Sequence, residues 1–275
     1  MTKLQNRVAI VTGGGRGIGR AIAVKLASEG ARVVLNDLDE EPARQAVAEL
    51  EQQGSEAVAV VGDVGAPDFG ERIVGAALSR FGGLDVVVNN AGYIWNTTVQ
   101  KTSDEQWQAM LDVHATAPFR VLRAAGNHFR EVAKAEREQG EIRCRKVVNI
   151  SSISGLYGAA TQIAYSAGKA AVVGITKTLA KEWGRYNVTV NCVAFGDIAT
   201  RLTEPLDGGA KTVSIGGREH KVGLDEGVLA MMQQITPLGR RGTAEEAAGA
   251  VYLLCIPESD YITGQVLVCS GGLAY

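Results

Sequence analysis

At 275 residues, with 46% hydrophobic and 21% charged side chains, the chain has the composition of an ordinary soluble globular protein. Its formal net charge of −2 gives no electrostatic reason to expect nucleic acid or an anionic membrane as a partner, and no segment reaches transmembrane length. The four cysteines, Cys144, Cys192, Cys255 and Cys269, form no C-x-x-C pair, and His114, His128 and His220 lack metal-ligand spacing. Buried thiols in a reducing cytoplasm and the absence of a metal site are the expectations.

Along the chain, short runs rich in Val and Ile alternate with helical patterns. The runs are "RVAIVT", "RVVLN", "AVAVVG", "DVVVNN", "KVVNIS", "VTVNCV" and "QVLVCS", and stretches such as "GIGRAIAVKLASEG" and "AEEAAGAVYLLC" carry helical periodicity. Apolar strands separated by helices predict an α/β fold: a doubly wound, Rossmann-like parallel sheet of seven strands with helices on both faces. No repeat or linker interrupts the pattern, so residues 1–275 are expected to form a single domain, with ligands beyond the carboxyl ends of the strands.

Two segments depart from the rhythm. A long helical region runs from about Asp104 to Gln139, opened by "TSDE", which reads as a capping box of Thr102 with Glu105. The second departure, residues 197–236, is too long for a simple connection. Within it "TVSIGGREHKV" reads as a hairpin turning at Gly216-Gly217, followed by an amphipathic helix in "DEGVLAMMQQI". Insertions at the ligand end of such folds are often lids, and this one is read as a substrate lid.

"TGGGRGIG" (12–19) lies between the first strand and the first helix. Gly13, Gly17 and Gly19 fit G-x-x-x-G-x-G, with Arg16 and Ile18 in the same loop. Such a loop lets backbone approach a pyrophosphate, which the helix N-terminus attracts. The second strand ends in "LNDLD", where Asp37 could accept hydrogen bonds from ribose hydroxyls and repel a 2′-phosphate. Arg16 could instead pair with that phosphate. NAD is therefore the expected cofactor, with NADP as the alternative.

In "AYSAGKAA" (164–171), Tyr165 and Lys169 stand at i and i+4 on one helix face. An ammonium beside a phenol would favour the phenolate and bring its pKa toward the working range. A lone Tyr-x-x-x-Lys pair decides nothing by itself.

With these pieces together, the sequence resembles the short-chain dehydrogenase/reductase family over nearly its whole length. The markers are "TGGGRGIG" (12–19), "DV" (63–64), "NNAG" (89–92), "NISSISG" (149–155), "YSAGK" (165–169) and "VNCVAFG" (190–196). The C-terminal "GRRGTAEEAAGAVYLL" and "YITGQVLVCSGG" are most similar to the branch of 3-oxoacyl-thioester reductases and related alcohol dehydrogenases. The resemblance implies an oxidoreductase passing hydride between a nicotinamide and a ketone or secondary alcohol. It implies Tyr165 as acid/base, Lys169 holding the nicotinamide ribose, and Ser152, rather than Ser151 or Ser154, binding the substrate oxygen. It further implies that Asp63 and Val64 contact adenine, that Asn90, Ala91 and Gly92 lie beside the cofactor, and that Ile198 and Thr200 orient the carboxamide. A homotetramer, built through the helices after the fourth and fifth strands and the C-terminal segment, is the implied assembly.

The chain also departs from the family. The family usually has an asparagine that helps hold a proton-relay water; "LDVHATAPF" places His114 there. Pro118 has no N–H, so a helix continuing through it would free the His114 carbonyl to hold that water. The imidazole would add a proton acceptor near the physiological range. Phe195 stands where proline is frequent, and Ser270 where an acidic residue is frequent. Ile94, Trp95, Leu156, Tyr157, Phe195, Met231 and Met232 are the candidate substrate walls, and an apolar pocket suggests an apolar ketone or alcohol. The rival reading is a cofactor-sensing regulatory protein on the same fold with its chemistry lost.

Overall fold

Continuous β-branched runs, apolar on both faces, suit strands covered by helices on either side. The computed structural model describes residues 2–141, 143–200, 211–215, 218–222 and 226–273. In chain order its strands are β1 (Val8–Val11), β2 (Arg32–Asp37), β3 (Ala57–Val61), β4 (Val86–Asn89), β5 (Arg145–Ser152), β6 (Val188–Phe195), β7 (Lys211–Ile215), β8 (Arg218–Val222) and β9 (Val266–Cys269). The helices are α1 (Gly17–Ser28), α2 (Glu40–Gln52), α3 (Phe69–Phe81), α4 (Asp104–Leu111), α5 (Ala117–Glu138), α6 (Ile153–Tyr157), α7 (Ile163–Trp183), α8 (Glu226–Ile235) and α9 (Ala244–Leu253).

The seven expected runs pair in the order β3-β2-β1-β4-β5-β6-β9, every neighbouring pair parallel. Alternation along each strand divides the core into two layers. Ala9, Val11, Val33, Val88 and Val193 face α1 and α9, where Ile22, Leu26, Ala247 and Val251 close the layer. Val8, Ile10, Val87, Val147 and Val190 face the other side, against Phe69, Ile73, Val121, Phe129 and Trp183. Each large side chain fully buried in this way contributes roughly 1.5–3 kcal/mol.

The chain runs outward from β1 to β3, then returns to place β4 on the other side of β1. That reversal opens a crevice at the carboxyl ends of β1 and β4, where the glycine loop and "NNAG" emerge.

The expected long helix is real but divided. Between α4 and α5 lies a π-helical turn, Asp112–Thr116. Its capping box is one residue later than expected. Ser103 accepts from Gln106 N at 3.2 Å, and Gln106 Oε1 accepts from Ser103 N at 3.0 Å. The Thr102 hydroxyl donates instead to the Thr98 carbonyl at 3.0 Å in a preceding 3₁₀ turn.

Within 197–236, β7 and β8 pair antiparallel as the hairpin reading requires. The proposed turn, Gly216-Gly217, lies outside the described residues, as do 201–210 and 223–225 of the same segment. Among the described residues no helix is long and apolar enough to cross a membrane, and no cluster of His, Cys, Asp or Glu could hold a metal ion.

Candidate active site

The glycine loop is shaped from behind. Thr12 Oγ1 accepts from the backbone N–H groups of Asn90 and Ala91, each at 3.0 Å, fastening β1 to the segment after β4. Asn90 Nδ2 donates to the carbonyls of Thr12 and Gly13 at 2.9 and 3.2 Å. Asn36 Oδ1 accepts from Gly13 N at 3.3 Å, while its amide donates to Val60 and Gly62 carbonyls. Gly13 has φ +64°, and a Cβ there would lie 2.9 Å from Ala91 Cα. A Cβ at Gly19 would collide with the Gly13 carbonyl. Both positions therefore require glycine.

The outer side of the loop suits a dinucleotide. Gly17 has φ +53° and no atom within 4 Å of where a Cβ would stand. No side chain caps α1, whose N-terminal N–H groups and positive dipole end suit a pyrophosphate. Ile18 is half-buried behind the loop. At the end of β2, Asp37 is buried and pressed against the loop: a Cβ at Gly15 would lie 2.5 Å from its Oδ2. Asp37 Oδ1 also accepts from Asp39 N at 3.1 Å. Arg16 turns toward these acids, with Nη2 at 2.5 Å from Asp39 Oδ2 and 3.7 Å from Asp37 Oδ1. After β3, exposed Asp63 accepts from Gly65 N at 2.8 Å, and Val64 is buried in the core.

The acid/base candidates meet where β5 ends and α7 begins. Ser152 caps α6 by accepting from Ser154 N at 3.1 Å, and its hydroxyl lies near enough to the Tyr165 phenol to favour the phenolate. Ser151 faces the opposite side of β5 and donates to the Lys169 carbonyl at 2.8 Å. Strand alternation thus separates the two serines, and Ser152 meets the phenol. Lys169 is buried and donates from Nζ to the Ile150 carbonyl at 2.9 Å.

Here the electrostatics correct the sequence reading. Lys169 Nζ stands 5.8 Å from the Tyr165 ring centroid. Burial dominates both groups: it pushes the Tyr165 phenol up to about 12, partly offset by Ser152, and brings the Lys169 ammonium down to about 8. In the protein alone Tyr165 therefore holds its proton firmly.

His114 sits in the π-helical turn, 1% exposed. The turn arises where Ala117 N–H reaches back five residues to the Asp112 carbonyl, and Pro118 has no N–H to offer the His114 carbonyl. The expectation of an imidazole titrating near physiological pH is overturned. Burial first, and then the neighbouring Lys169, hold it well below the usual 6.5, despite the opposing effect of its bond to Tyr93.

The candidate walls divide. Trp95 and Ile94 pack, with Tyr93 and Val113, on a small cluster of Met110, Ala164 and Tyr165. Tyr157, 49% exposed, ends α6. Phe195 is corrected: it faces the α1/α9 layer with Val193 and is buried in the core. An odd position on β6 points away from α7, whose side takes Val190 and Cys192. Met231 is also corrected, being 54% exposed on α8 rather than enclosed. Ile198 is buried, and Thr200 half-buried, in the stretch after β6.

That stretch is held by a pair no local pattern announces. Asp197 receives two hydrogen bonds from Arg241, at 2.8 and 2.9 Å, and Ala199 N donates to the Gly242 carbonyl. Thr12, Asn36 and the Asp197–Arg241 pair were not singled out from sequence. For Asn36 the available signal was a polar residue within a buried strand; the pair, 44 residues apart, offered none.

Comparison with known proteins agrees with this geometry. The short chain dehydrogenase family pattern matches residues 7–210. The chain is 38% identical over 275 residues to a 3-oxoacyl-[acyl-carrier-protein] reductase of Synechocystis sp., covering 99% of each. It is likewise 38% identical over 272 residues to the 3-oxoacyl-[acyl-carrier-protein] reductase FabG of Chlamydia muridarum, covering 98% of each. Among solved structures, a blue fluorescent protein from a metagenomic library in complex with NADPH superposes with a TM-score of 0.82 at 28% identity, over 99% of this chain and 100% of that one. The chain belongs to the short-chain dehydrogenase/reductase family and is a nicotinamide-dependent oxidoreductase acting on a C=O or CH–OH group.

Proposed function

We propose that the protein transfers hydride between NAD(H) and a hydrophobic ketone or the matching secondary alcohol, with Tyr165 as acid/base. The observation that carries this reading is the convergence of Ser152, Tyr165 and Lys169, with the phenol buried beside the serine. The nicotinamide, when bound, supplies or receives the hydride.

In the reducing direction the Tyr165 hydroxyl gives its proton to the carbonyl oxygen, and Ser152 donates a hydrogen bond to the same oxygen as charge develops. Lys169 holds the nicotinamide ribose. The backbone carbonyl of His114, lacking the donor that Pro118 cannot supply, holds a water that returns a proton toward Lys169.

The glycine loop with Arg16, Ile18 and the α1 N-terminus would cradle the pyrophosphate. Asp63 and Val64 would border adenine, and Asn90, Ala91 and Gly92 the nicotinamide ribose. Ile198 and Thr200 would orient the carboxamide. NAD is preferred over NADP because two carboxylates, Asp37 and Asp39, already engage Arg16. A 2′-phosphate there would meet more negative than positive charge.

Trp95 and Tyr157 would contact the substrate, with residues 197–236 as a lid. The names of these two relatives make a 3-oxoacyl thioester the first substrate to offer. The helices after the fourth and fifth strands, α4, α5 and α7, with the C-terminal segment, whose edge strand β9 leaves Leu267 and Val268 partly exposed, would support a homotetramer. The intact trio favours an enzyme over a cofactor sensor.

The test is turnover by the purified protein with NADH and NADPH, offered an acetoacetyl thioester, cyclic ketones and a steroid ketone. Turnover that disappears in Tyr165→Phe while cofactor binding persists supports the reading. Undiminished turnover in that variant overturns it.

A further inference from the structure

His114 joins three segments distant in the chain. Its backbone lies in the π-helical turn, its Nε2 meets the Tyr93 carbonyl at 2.8 Å, and its ring stands edge-on to Tyr165. Two glycines make room for it. A Cβ at Gly92 would overlap the imidazole, lying 2.8 Å from Nδ1, and one at Gly168 would lie 2.9 Å from His114 Cβ.

A backbone carbonyl only accepts, so Nε2 carries the proton and Nδ1 presents a lone pair. Nδ1 is buried and has no hydrogen-bond partner among the described residues. Enclosing an imidazole with one nitrogen unpaired carries a desolvation penalty that a leucine of similar size would avoid. Packing alone therefore does not account for the residue. What the imidazole provides and leucine cannot is a directional bond to the loop carrying Tyr93, Ile94 and Trp95.

We propose that His114 is a positioning residue: as a neutral Nε2–H imidazole it holds the Gly92–Trp95 loop at a set distance from Tyr165 and so tunes which ketones fit. The proposal rests on the reading of Tyr165 as acid/base and Trp95 as substrate wall. Tyr93 is the anchor point, and Ile94 and Trp95 pack onto the cluster containing Tyr165. Loss of the anchor lets the wall drift while leaving the Ser152–Tyr165 and Lys169–Ile150 contacts in place, since neither passes through His114. Large substrates, which must press against the wall, would suffer more than small ones.

The test uses the full-length protein and the variants His114→Asn, His114→Leu and His114→Gln. Glutamine can extend an amide N–H to roughly the place of Nε2, whereas the shorter asparagine cannot. The first readout is hydrogen–deuterium exchange in residues 91–98. It should rise about tenfold in the Asn and Leu variants, stay unchanged in β1 and the glycine loop, and fall back in the Gln variant. The second is steady-state kinetics: in the Asn variant KM for a bulky ketone should rise about tenfold more than KM for a small ketone. Unaltered exchange at 91–98, an equal rise throughout the sheet, or a Gln variant no better than Leu would overturn the proposal. A wild-type protein that reduces no ketone would count against the functional reading alone, because the exchange data still decide the positioning role.

Discussion

The rings of His114 and Tyr165 meet edge to face, their centroids 5.0 Å apart and their planes at 89°. The contact joins the residue that departs from the family pattern to the residue that performs the proposed proton transfer. The imidazole stays neutral because it is buried, and because a proton on it would also stand near the Lys169 ammonium.

That neutrality has a pH consequence. The unfolded chain binds a proton at His114 as pH falls through about 6.5, whereas the folded protein resists protonation well below that value. This contribution to stability is therefore complete above about pH 6.5 and is lost as pH falls below it. Nitrogen-15 NMR of histidine-labelled protein should show one imidazole fixed as the Nε2–H tautomer through neutral pH, its signal absent in His114→Asn. An imidazole titrating with a midpoint near 6.5 would refute the burial argument.

Lys169 gives the opposite relation between stability and activity. With its folded pKa near 8 against 10.5 unfolded, the unfolded chain binds more protons between those values, so stability rises with pH across that window. Below about pH 8 the full cost of burying the ammonium is present, on the order of 3 kcal/mol. Lys169→Met should raise the thermal midpoint at neutral pH, gain progressively less above pH 8, and abolish most activity. Denaturation curves at several pH values check this; a destabilised variant at neutral pH would contradict it.

Removing the phenol or the serine should separate binding from chemistry. Tyr165→Phe should lower kcat at least about a thousandfold, and Ser152→Ala about a hundredfold or more, with little change in cofactor affinity. Fluorescence titration with NADH alongside single-turnover kinetics distinguishes a lost chemical step from lost binding.

Cofactor choice should turn on the acid at the end of β2. Asp37→Ser removes a carboxylate 3.7 Å from the Arg16 guanidinium and should shift the NADH/NADPH ratio of kcat/KM toward NADPH by about tenfold or more. Asp39 still engages Arg16, so the shift should grow when Asp39→Ser is added. A protein that already prefers NADPH would reverse the assignment.

The segment after β6 can be tested by shortening it. Deleting residues 208–223 should change KM and substrate range if the segment is a lid. If only solubility or subunit assembly changes, the segment is a contact between copies instead.

The alternation of β-branched runs with amphipathic helices was enough to specify the parallel sheet, because strands covered on both faces must be apolar throughout and their crossovers must be helical. The positions of Gly13, Gly19, Tyr165 and Lys169 were equally legible, since turn geometry and helical spacing act over a few residues. What the chain alone left undecided depends on direction in space. Phe195 lies close in sequence to other cofactor-site candidates, yet strand alternation turns its side chain into the α1/α9 core. Read locally, Arg16 and Asp37 argue for different cofactors; folding sets them against each other as a charge pair. The π-helical turn could not be read from periodicity, because a single extra residue hardly disturbs a 3.6-residue pattern but redirects His114 into the interior. Sequence thus determined the framework and the identity of the reactive groups through short-range rules. Tertiary structure decided their charge states and partners, because desolvation and the Asp197–Arg241, Asn36–Gly13 and His114–Tyr93 contacts exist only once distant segments meet.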